Sequence, residues 1–290
     1  MSWRTIVVSR SAKLDYQMGF MVVRQEETTR IHLDEIAVLL LESTAISLTG
    51  ALLSELIKNK VRVIFCDEKR NPCSELVPYY GAHDVSLKIR RQINWDDAIK
   101  EAIWTELVTE KIRNQAVHLQ IRRLPEANLL ERYITEIQFG DSTNREGHAA
   151  KVYFNALFGR EFTRTTENSI NAALNYGYSI ILSAINREIS ANGYLTQLGL
   201  FHENMFNPFN LGSDLMEPFR VMVDRKVVDM SPEIFGHEEK IEILTMLQEV
   251  VSISGRDEVL LNAMKIYTRS VFDALNERDV SLIKFCHYEL

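Results

Sequence analysis

The polar residues that stand out in an otherwise apolar helical stretch lie between residues 213 and 224. Asp214 and Glu217 are three residues apart and are therefore expected on one face of a helix, with Asp224 farther along it. Ser213 is expected to cap this helix, and Pro218 to kink its first turn. Carboxylates grouped in this way are suitable ligands for a divalent cation. They also complement the positive end of a helix dipole, and the spacing alone favours that second interpretation.

Two further polar side chains stand close to glycine residues. Glu146 precedes Gly147, and glycine inside a helix costs about 1 kcal/mol relative to alanine, which indicates a close approach by another backbone or by a ligand. His202 follows the segment 199–201, which begins with glycine. A capping acid and a buried core histidine are the alternative interpretations, and both stay open at this level. His148, near Glu146 in the sequence, ranks below His202 as a ligand because its side chain points about 100° away around the helix.

Several catalytic signatures are absent from the sequence. It contains no GxGxxG, GxxxxGK[ST] or GxSxG motif, which removes support for nucleotide binding and for a hydrolase nucleophile elbow. The His-Glu pairs at 202–203 and 237–238 lack the second histidine of HExxH, which excludes that class of zinc protease. Three cysteines without a CxxC pair indicate inert thiols in a reducing cytoplasm and no structural zinc site.

The composition is that of an ordinary globular protein. Of 290 residues, 46% are hydrophobic and 25% charged, and the net charge is −7. The acidity argues mildly against nucleic-acid binding, but residues 1–140 are neutral overall, so a local basic surface remains open. The longest apolar run, Ile36–Leu41, is too short to cross a membrane, and the first residues show no signal peptide. We therefore expect a cytoplasmic protein.

The predicted secondary structure that must position these residues changes once along the chain, from strands to helices. Up to residue 80 the patterns are short and strand-like, and residues 36–41 indicate a fully buried strand. Beyond a linker at 76–81 the periodicity is helical. The sequence thus predicts an α+β protein with a small N-terminal β-rich domain, residues 1–80, and a larger all-helical domain, residues 81–290. One predicted helix follows an N-cap at Asn94, and four others span residues 126–139, 145–158, 168–190 and 257–275.

Four segments occur in a fixed order: 145–154 (REGHAAKVYF), 173–178 (ALNYGY), 199–202 (GLFH) and 213–220 (SDLMEPFR). Together they resemble the CRISPR-associated endonuclease/integrase of spacer acquisition, the larger subunit of the adaptation core. The resemblance covers the whole chain and is greatest to the branch found in type II systems. It implies a β-rich dimerisation domain followed by a helical, metal-dependent catalytic domain.

The resemblance assigns the catalytic, metal-binding triad to Glu146, His202 and Glu217, and a further acid near the metal to Asp214. The chain departs from many members in having Val221 after the arginine, where they have proline. Two carboxylates and one imidazole suit Mg²⁺ or Mn²⁺ better than zinc. The implied activity is metal-dependent DNA cleavage, together with attack by the 3′-hydroxyl of a spacer on the repeat boundary of the CRISPR array. No covalent nucleophile accompanies the motifs, so direct transesterification is the expected mechanism.

DNA contacts are expected from residues flanking these acids: Arg145, Lys151 and Arg220 for phosphates, and Tyr153, Asn175, Tyr176 and Tyr178 for strand ends or sugars. For the tyrosines, helix packing is the favoured alternative. Basic residues of the long connecting region are candidates for backbone contacts, although a run of charges is usually a solvated face: Lys88, Arg90, Arg91, Arg113, Arg122 and Arg123.

The expected partners are spacer and repeat DNA, a second copy of the chain bound through the β-rich domain, the small companion subunit of the adaptation complex and the type II effector nuclease. Two other functions stay open. One is a metal-dependent nuclease of DNA repair or recombination that does not act on the array. The other is a non-catalytic assembly protein whose acids only cap helices.

Overall fold

The structure, a computed structural model, describes residues 4–76 and 82–288. The chain forms two compact units, Met1–His83 and Asp84–Leu290. The first is rich in strands and the second in helices, which confirms the predicted fold class. Apart from Leu76, the predicted linker at 76–81 lies outside the described residues.

The described residues of the first unit form two four-stranded sheets, one α-helix and a 3₁₀ turn, Leu33–Glu35. Its elements are β1 Arg4–Val8, β2 Ala12–Gln17, β3 Phe20–Arg24, β4 Thr28–His32, β5 Ile36–Leu41, β6 Ile46–Leu48, α1 Gly50–Lys58, β7 Arg62–Cys66 and β8 Pro72–Glu75. One sheet has the order β1-β5-β7-β8, in which β5 pairs in parallel with both β1 and β7. The other has the order β4-β3-β2-β6.

The core of the first unit follows from its most apolar segments. All six residues of β5 are buried, as predicted for a strand between parallel neighbours. Helix α1 begins after Thr49, whose hydroxyl accepts a hydrogen bond from the Leu52 amide at 3.3 Å. Leu52 and Leu56 of α1 pack into the same core as Leu14 and Leu39 of the strands.

The second unit contains nine helices and three short strands among its described residues. They are α2 Val85–Ile93, α3 Asp97–Ile121, α4 Ala127–Glu136, α5 Arg145–Phe158, α6 Ser169–Ala191, α7 Asn210–Leu215, α8 Arg220–Met230, α9 His237–Thr245, β9 Val250–Ile253, β10 Arg256–Val259, α10 Leu260–Glu277 and β11 Cys286–His287. Helix α5 has the predicted bounds, and α6, predicted over residues 168–190, begins after Asn168, which caps it.

Helix α3 is the central element of this unit. It packs against α4, α5, α8 and α10, so most of its circumference is buried. Its buried residues include polar ones, and Lys111, Gln115 and His118 are each less than a tenth exposed. Buried polar side chains need partners. Lys111 pairs with Glu146 and Glu217, and His118 contacts the Tyr153 hydroxyl of α5.

Two predicted helix starts are wrong, each because of a neighbouring element. Asn94 does not cap α3; Asp96 does, accepting a hydrogen bond from the Ile99 amide at 3.0 Å. Asn94 instead closes α2 by donating its side-chain amide to the Arg90 carbonyl at 2.7 Å. Ser213 is likewise not an N-cap, because it lies inside α7.

The expected single helix from residue 213 onward is broken in two. A 3₁₀ turn, Glu217–Phe219, separates α7 from α8. Pro218 lacks an amide donor and its ring disturbs the preceding turn, which explains the tighter geometry. Asp214 and Glu217 therefore lie on different elements rather than side by side on one helix face.

The second unit is not entirely helical, which corrects one detail of the prediction. β9 pairs antiparallel with β10 and β11. The helix predicted at 257–275 begins only at Leu260, because the residues before it belong to β10. The helix predicted at 126–139 ends at Glu136, and a short turn follows in which Gly140 has φ +67°. In the part of the chain that the structure describes, no helix is long and apolar enough to cross a membrane.

Candidate active site

Glu146 lies in the first turn of α5, whose amides are capped by other side chains. Asn144 accepts a hydrogen bond from the Gly147 amide at 3.2 Å. The Asp141 carboxylate accepts from the amides of Arg145 at 2.7 Å and Glu146 at 3.0 Å. A Cβ at position 147 would lie 2.7 Å from the Asn144 side-chain oxygen, so the cap accounts for the glycine. Glu146 is therefore not the capping acid of its own helix.

His202 ends a turn that is held by the buried carboxylate of Asp214. Oδ2 of Asp214 accepts from the amides of Leu200 at 2.6 Å and Phe201 at 3.2 Å. Oδ1 accepts from the His202 amide at 3.2 Å and from its ring Nδ1 at 2.5 Å. A Cβ on Gly199 would lie 2.3 Å from the His202 carbonyl oxygen, so this turn requires glycine.

The contact with Asp214 determines how His202 is presented. With a proton on Nδ1, the neutral imidazole keeps its lone pair on Nε2, the arrangement typical of metal-binding histidines. The same hydrogen bond is the main reason that the pKa of His202 is raised, while burial acts in the opposite direction. Trp104 packs edge-on against the imidazole, with ring centroids 5.7 Å apart. The side chain is 40% exposed, which does not fit a core histidine.

Glu217 is a buried carboxylate between two cations. Lys111 Nζ lies 2.5 Å from its Oε2, and Arg220 donates through Nε to its Oε1 at 2.9 Å. Burial by itself raises the pKa of Glu217, but the charges of Arg220 and Lys111 outweigh it and hold the pKa at about 2. Glu217 is therefore ionised at neutral pH.

Lys111 connects two of the three predicted ligands. Besides Glu217, its ammonium forms an ion pair with Glu146. Burial lowers the pKa of Lys111, but the two carboxylates more than offset this and raise it above the ordinary value. A single positive charge thus bridges both carboxylates, which places them close enough to share one cation.

Glu146, His202 and Glu217 line one cavity of about 280 Å³, although they come from three separate segments. Its other lining residues are Trp104, Lys111, Gln115, Ala150, Phe154, Arg164, Tyr178, Phe201, Arg220 and Asp224. Asp214 is not part of the lining; it lies behind His202, and both its oxygens already accept hydrogen bonds.

Two of the predicted DNA-contacting residues, Tyr178 and Arg220, line the cavity. The Arg220 guanidinium lies 4.6 Å from the centre of the Tyr178 ring. The Tyr178 hydroxyl donates to Asp224, whose pKa burial raises to about 6 against the opposing effects of that bond and of Arg220. These side chains form the wall of the cavity beside Glu217.

The other predicted DNA contacts lie outside the cavity. Tyr153 and Tyr176 are buried, and the Tyr153 hydroxyl lies 2.6 Å from His118 Nδ1, so the structure supports packing for both. Lys151 and Asn175 are exposed, and Arg145 forms an ion pair with Glu136 at 3.0 Å. The remaining candidates are the basic residues of α2, α3 and the turn after α3. Three of them, Arg90, Arg91 and Arg123, are exposed. The other three form ion pairs: Lys88 with Asp84, Arg113 with Glu110, and Arg122 with Asp229.

Three polar residues of the cavity were not singled out from the sequence: Lys111, Gln115 and Arg164. A sequence signal existed for the first two. Lys111, Asn114, Gln115 and His118 follow the 3-4-7 spacing of one helix face inside an apolar helix, which marks a buried polar stripe. Arg164 lies in an irregular segment and has no comparable signal.

The donor set suits a hard divalent cation. Two carboxylates already share one positive charge, and the buried Oε1 of Gln115, which lines the same cavity, has no hydrogen-bond partner among the described residues. A cation near this amide oxygen would satisfy it. As they stand, no three acidic, histidine or cysteine side chains in the described ranges are placed to hold an ion. Binding would therefore require Lys111 to withdraw from between the carboxylates.

Comparison with known proteins matches this chain to one family. Residues 5–239 match the family model described as "CRISPR associated protein Cas1". The CRISPR-associated endonuclease Cas1 of Neisseria meningitidis serogroup C (strain 8013) is 36% identical over 232 residues, which cover 79% of this chain and 76% of that protein.

Two solved structures share the fold. A casposase bound to integration product superposes with a TM-score of 0.78 at 18% identity, over 97% of this chain and 93% of that one. A Cas6-RT-Cas1–Cas2 complex superposes with a TM-score of 0.75 at 17% identity, over 97% of this chain. This chain spans only 36% of that longer one, and at these identities the likeness concerns the fold alone.

Proposed function

Because this chain belongs to the family of CRISPR associated protein Cas1, we propose that it is a DNA endonuclease and integrase of CRISPR adaptation that inserts foreign-DNA spacers into the CRISPR array. The observation that carries the proposal is the shared cavity of Glu146, His202 and Glu217. Their grouping in one cavity agrees with the triad that the sequence resemblance implies. It does not fit acids that only cap helices, because other side chains perform that task at Glu146.

The proposed cofactor is Mg²⁺ or Mn²⁺, held by the carboxylates of Glu146 and Glu217 and by Nε2 of His202. When bound, such an ion stabilises the negative charge that develops on the reacting phosphate. Asp214 contributes by keeping the proton on Nδ1 of His202, which leaves Nε2 as the ligand. We therefore assign Asp214 a positioning role beside the metal site rather than direct ligation.

The cavity lining favours a direct reaction at phosphorus. Among the described residues that line it there is no serine, threonine or cysteine, and the Tyr178 hydroxyl is committed to Asp224. The attacking oxygen then comes from water in cleavage, or from the 3′-hydroxyl of the spacer in integration. In integration, the new bond joins that oxygen to the phosphorus at the repeat boundary while the 3′-oxygen of the array strand leaves. Arg220 holds Glu217 in place during this exchange.

The proposed partners are spacer and repeat DNA, a second copy of this chain and the small companion subunit. The dimer would form through the first unit, whose sheets end in β1 and β8 and in β4 and β6, since sheet edges are common pairing surfaces. The Cas6-RT-Cas1–Cas2 structure supports the companion subunit. The type II branch and contact with its effector nuclease rest on the sequence resemblance.

A half-site integration assay tests the function. Purified protein, a companion subunit and Mn²⁺ are incubated with a labelled spacer and a target that does or does not contain a repeat. Transfer that depends on the repeat supports integration into the array. DNA cleavage with no preference for the repeat would favour the repair nuclease, and no reaction with any DNA would favour a non-catalytic assembly protein.

Matched variants connect the activity to the cavity. Glu146→Ala and His202→Ala should each lower strand transfer by about 10²-fold or more, because each removes a proposed ligand. Glu161→Ala and His148→Ala serve as controls, since both side chains are exposed and lie outside the cavity. Near-normal transfer by Glu146→Ala or His202→Ala would show that the triad assignment is wrong.

A further inference from the structure

The cavity contains three cations, and one of them differs from the others in its partners. Lys111 and Arg220 both form ion pairs with carboxylates. Arg164 instead donates to two amide oxygens, to Oδ1 of Asn171 and, at 2.6 Å, to Oδ1 of Asn175. Among the described residues no carboxylate lies within ion-pair distance of it, although Asp224 acts on it from farther away. Its charge is therefore not neutralised by contact.

The environment of Arg164 presents its guanidinium to the cavity. The group lies 5.8 Å from the centre of the Phe154 ring and 5.4 Å from that of Tyr178. Arg220 lies over the same tyrosine ring, so two guanidinium groups share one wall. Aromatic faces support a guanidinium without using its N–H groups, and two of the five N–H donors are used by the asparagines. The remaining donors are available to an anion.

The segment that carries Arg164 is also held by hydrogen bonds other than those of the Arg164 side chain. Asn171 is 3% exposed, and its side-chain amide donates to the carbonyls of Thr163 and Thr166, each at 2.8 Å. Asn168 caps the start of α6 through the Asn171 amide, also at 2.8 Å. These bonds hold the residues around position 164 against α6. The segment thus has anchors besides the charged side chain of Arg164.

We propose that Arg164 binds a phosphate of the DNA strand that enters the cavity, and so positions the reacting phosphodiester beside Glu217. The inference rests on the proposed function and adds to it a substrate contact outside the motifs 145–154 and 213–220. A phosphodiester fits because a guanidinium can donate two parallel hydrogen bonds to its non-bridging oxygens. Partial burial between rings strengthens such a bond relative to one in water.

The first test compares Arg164→Gln with Arg160→Gln. Both arginines belong to the connection between α5 and α6, but Arg160 is exposed and does not line the cavity. Arg164→Gln should lower strand transfer at saturating DNA by about 10²-fold, and should make the plot of log affinity against log salt shallower by about one unit per site. Arg160→Gln should keep wild-type transfer. Mn²⁺ binding, followed by electron paramagnetic resonance, should be the same in all three proteins, which separates phosphate binding from metal ligation.

A second test identifies the contact from the DNA side. Single phosphates of the spacer end are replaced by uncharged methylphosphonates, one at a time. At one position, the methylphosphonate should lower strand transfer by wild-type protein, whereas transfer by Arg164→Gln should fall no further than with unmodified DNA. Equal sensitivity of both proteins at every position would overturn the proposal.

The remaining outcomes separate this inference from the proposed function. If Glu146→Ala abolishes transfer while Arg164→Gln behaves like Arg160→Gln, only the role of Arg164 is refuted. If Glu146→Ala also retains transfer, the proposed function itself fails. Should Arg164→Gln fold poorly, Arg164→Lys replaces it: retained charge should restore part of the transfer. Equal loss in Arg164→Lys and Arg164→Gln, together with lowered thermal stability in both, would indicate a structural role and overturn the proposal.

Discussion

Replacing Asp214 by asparagine tests the physical basis of the site more directly than removing a ligand. The side chain is fully buried, and its two oxygens accept four hydrogen bonds from the turn that carries His202. Asparagine has nearly the same shape but offers one acceptor oxygen and one NH₂ donor. The substitution therefore changes the hydrogen bonding and the charge while leaving the packing volume almost intact.

Either orientation of the new amide leaves donors without acceptors. If the oxygen stays toward His202, the amides of Leu200 and Phe201 lose theirs. If it turns toward those amides, the His202 amide loses its acceptor and the imidazole must move its proton to Nε2, which removes the lone pair proposed to bind metal. Each unsatisfied buried group costs about 1–3 kcal/mol, so two of them should lower the free energy of unfolding by about 2–6 kcal/mol. For a unit of this size that corresponds to a fall of roughly 4–24 °C in Tm.

Two measurements follow from this reasoning. Denaturant unfolding should show the loss of stability, and Mn²⁺ titration should show an affinity about 10- to 100-fold weaker, the usual effect of losing a group that orients a metal-binding histidine. Glu203→Gln is the matched control, since Glu203 is exposed and lies next to the same turn. Asp214→Asn protein with wild-type stability and wild-type Mn²⁺ affinity would refute the role we assign to Asp214.

Three other predictions concern the charges of the cavity. The pKa of Glu217 is held at about 2 in the folded protein but lies near 4.5 in the unfolded chain, so its ionised carboxylate stabilises the fold fully at pH values above about 4.5. In denaturant unfolding, the stability difference between wild type and Glu217→Gln should therefore shrink as the pH falls from about 4.5 toward 2. Asp224, with its pKa raised to about 6, binds a proton more readily in the folded state; it should make the protein more stable as pH falls from about 6 to 4, and Asp224→Asn should remove that part of the pH profile. Lys111→Met leaves two carboxylates without their shared cation; the metal-free protein should lose about 3–5 kcal/mol, and Mn²⁺ should restore more stability to this variant than to wild type in thermal unfolding. Unchanged stability of Lys111→Met without metal would contradict that reasoning.

The sequence was most informative where one pattern dominated a segment. The apolar run of β5 and the capped, amphipathic α5 appear in the structure as predicted, because local preference and tertiary packing agree there. The hairpin of β9 and β10 was missed, although Ser254-Gly255 is a typical two-residue turn and both residues have positive φ. The helical pattern of the following residues concealed the short strand before it.

The site itself could be predicted only in part. The proposed triad comes from the order of four motifs, whereas spacing alone favoured helix capping for Asp214 and Glu217 and left the role of Glu146 open. The role of Asp214 depends on a turn more than ten residues away in sequence, and that of Arg164 on two asparagines of the next helix. Contacts of this kind are set by tertiary structure and leave no local pattern, so they require the structure.

The charges of the cavity also bear on the mildly acidic sequence, which by itself argued against DNA binding. The lining carries three carboxylates, Glu146, Glu217 and Asp224, and three cations, Lys111, Arg164 and Arg220. These six charges balance, and two of the cations are occupied by carboxylates. A bound divalent ion would add two positive charges and compete with Lys111 for its carboxylates, so the proposed cofactor should make the cavity more attractive to phosphate. Because phosphates respond to this local field, the net charge of −7 is a poor guide to DNA binding at the site.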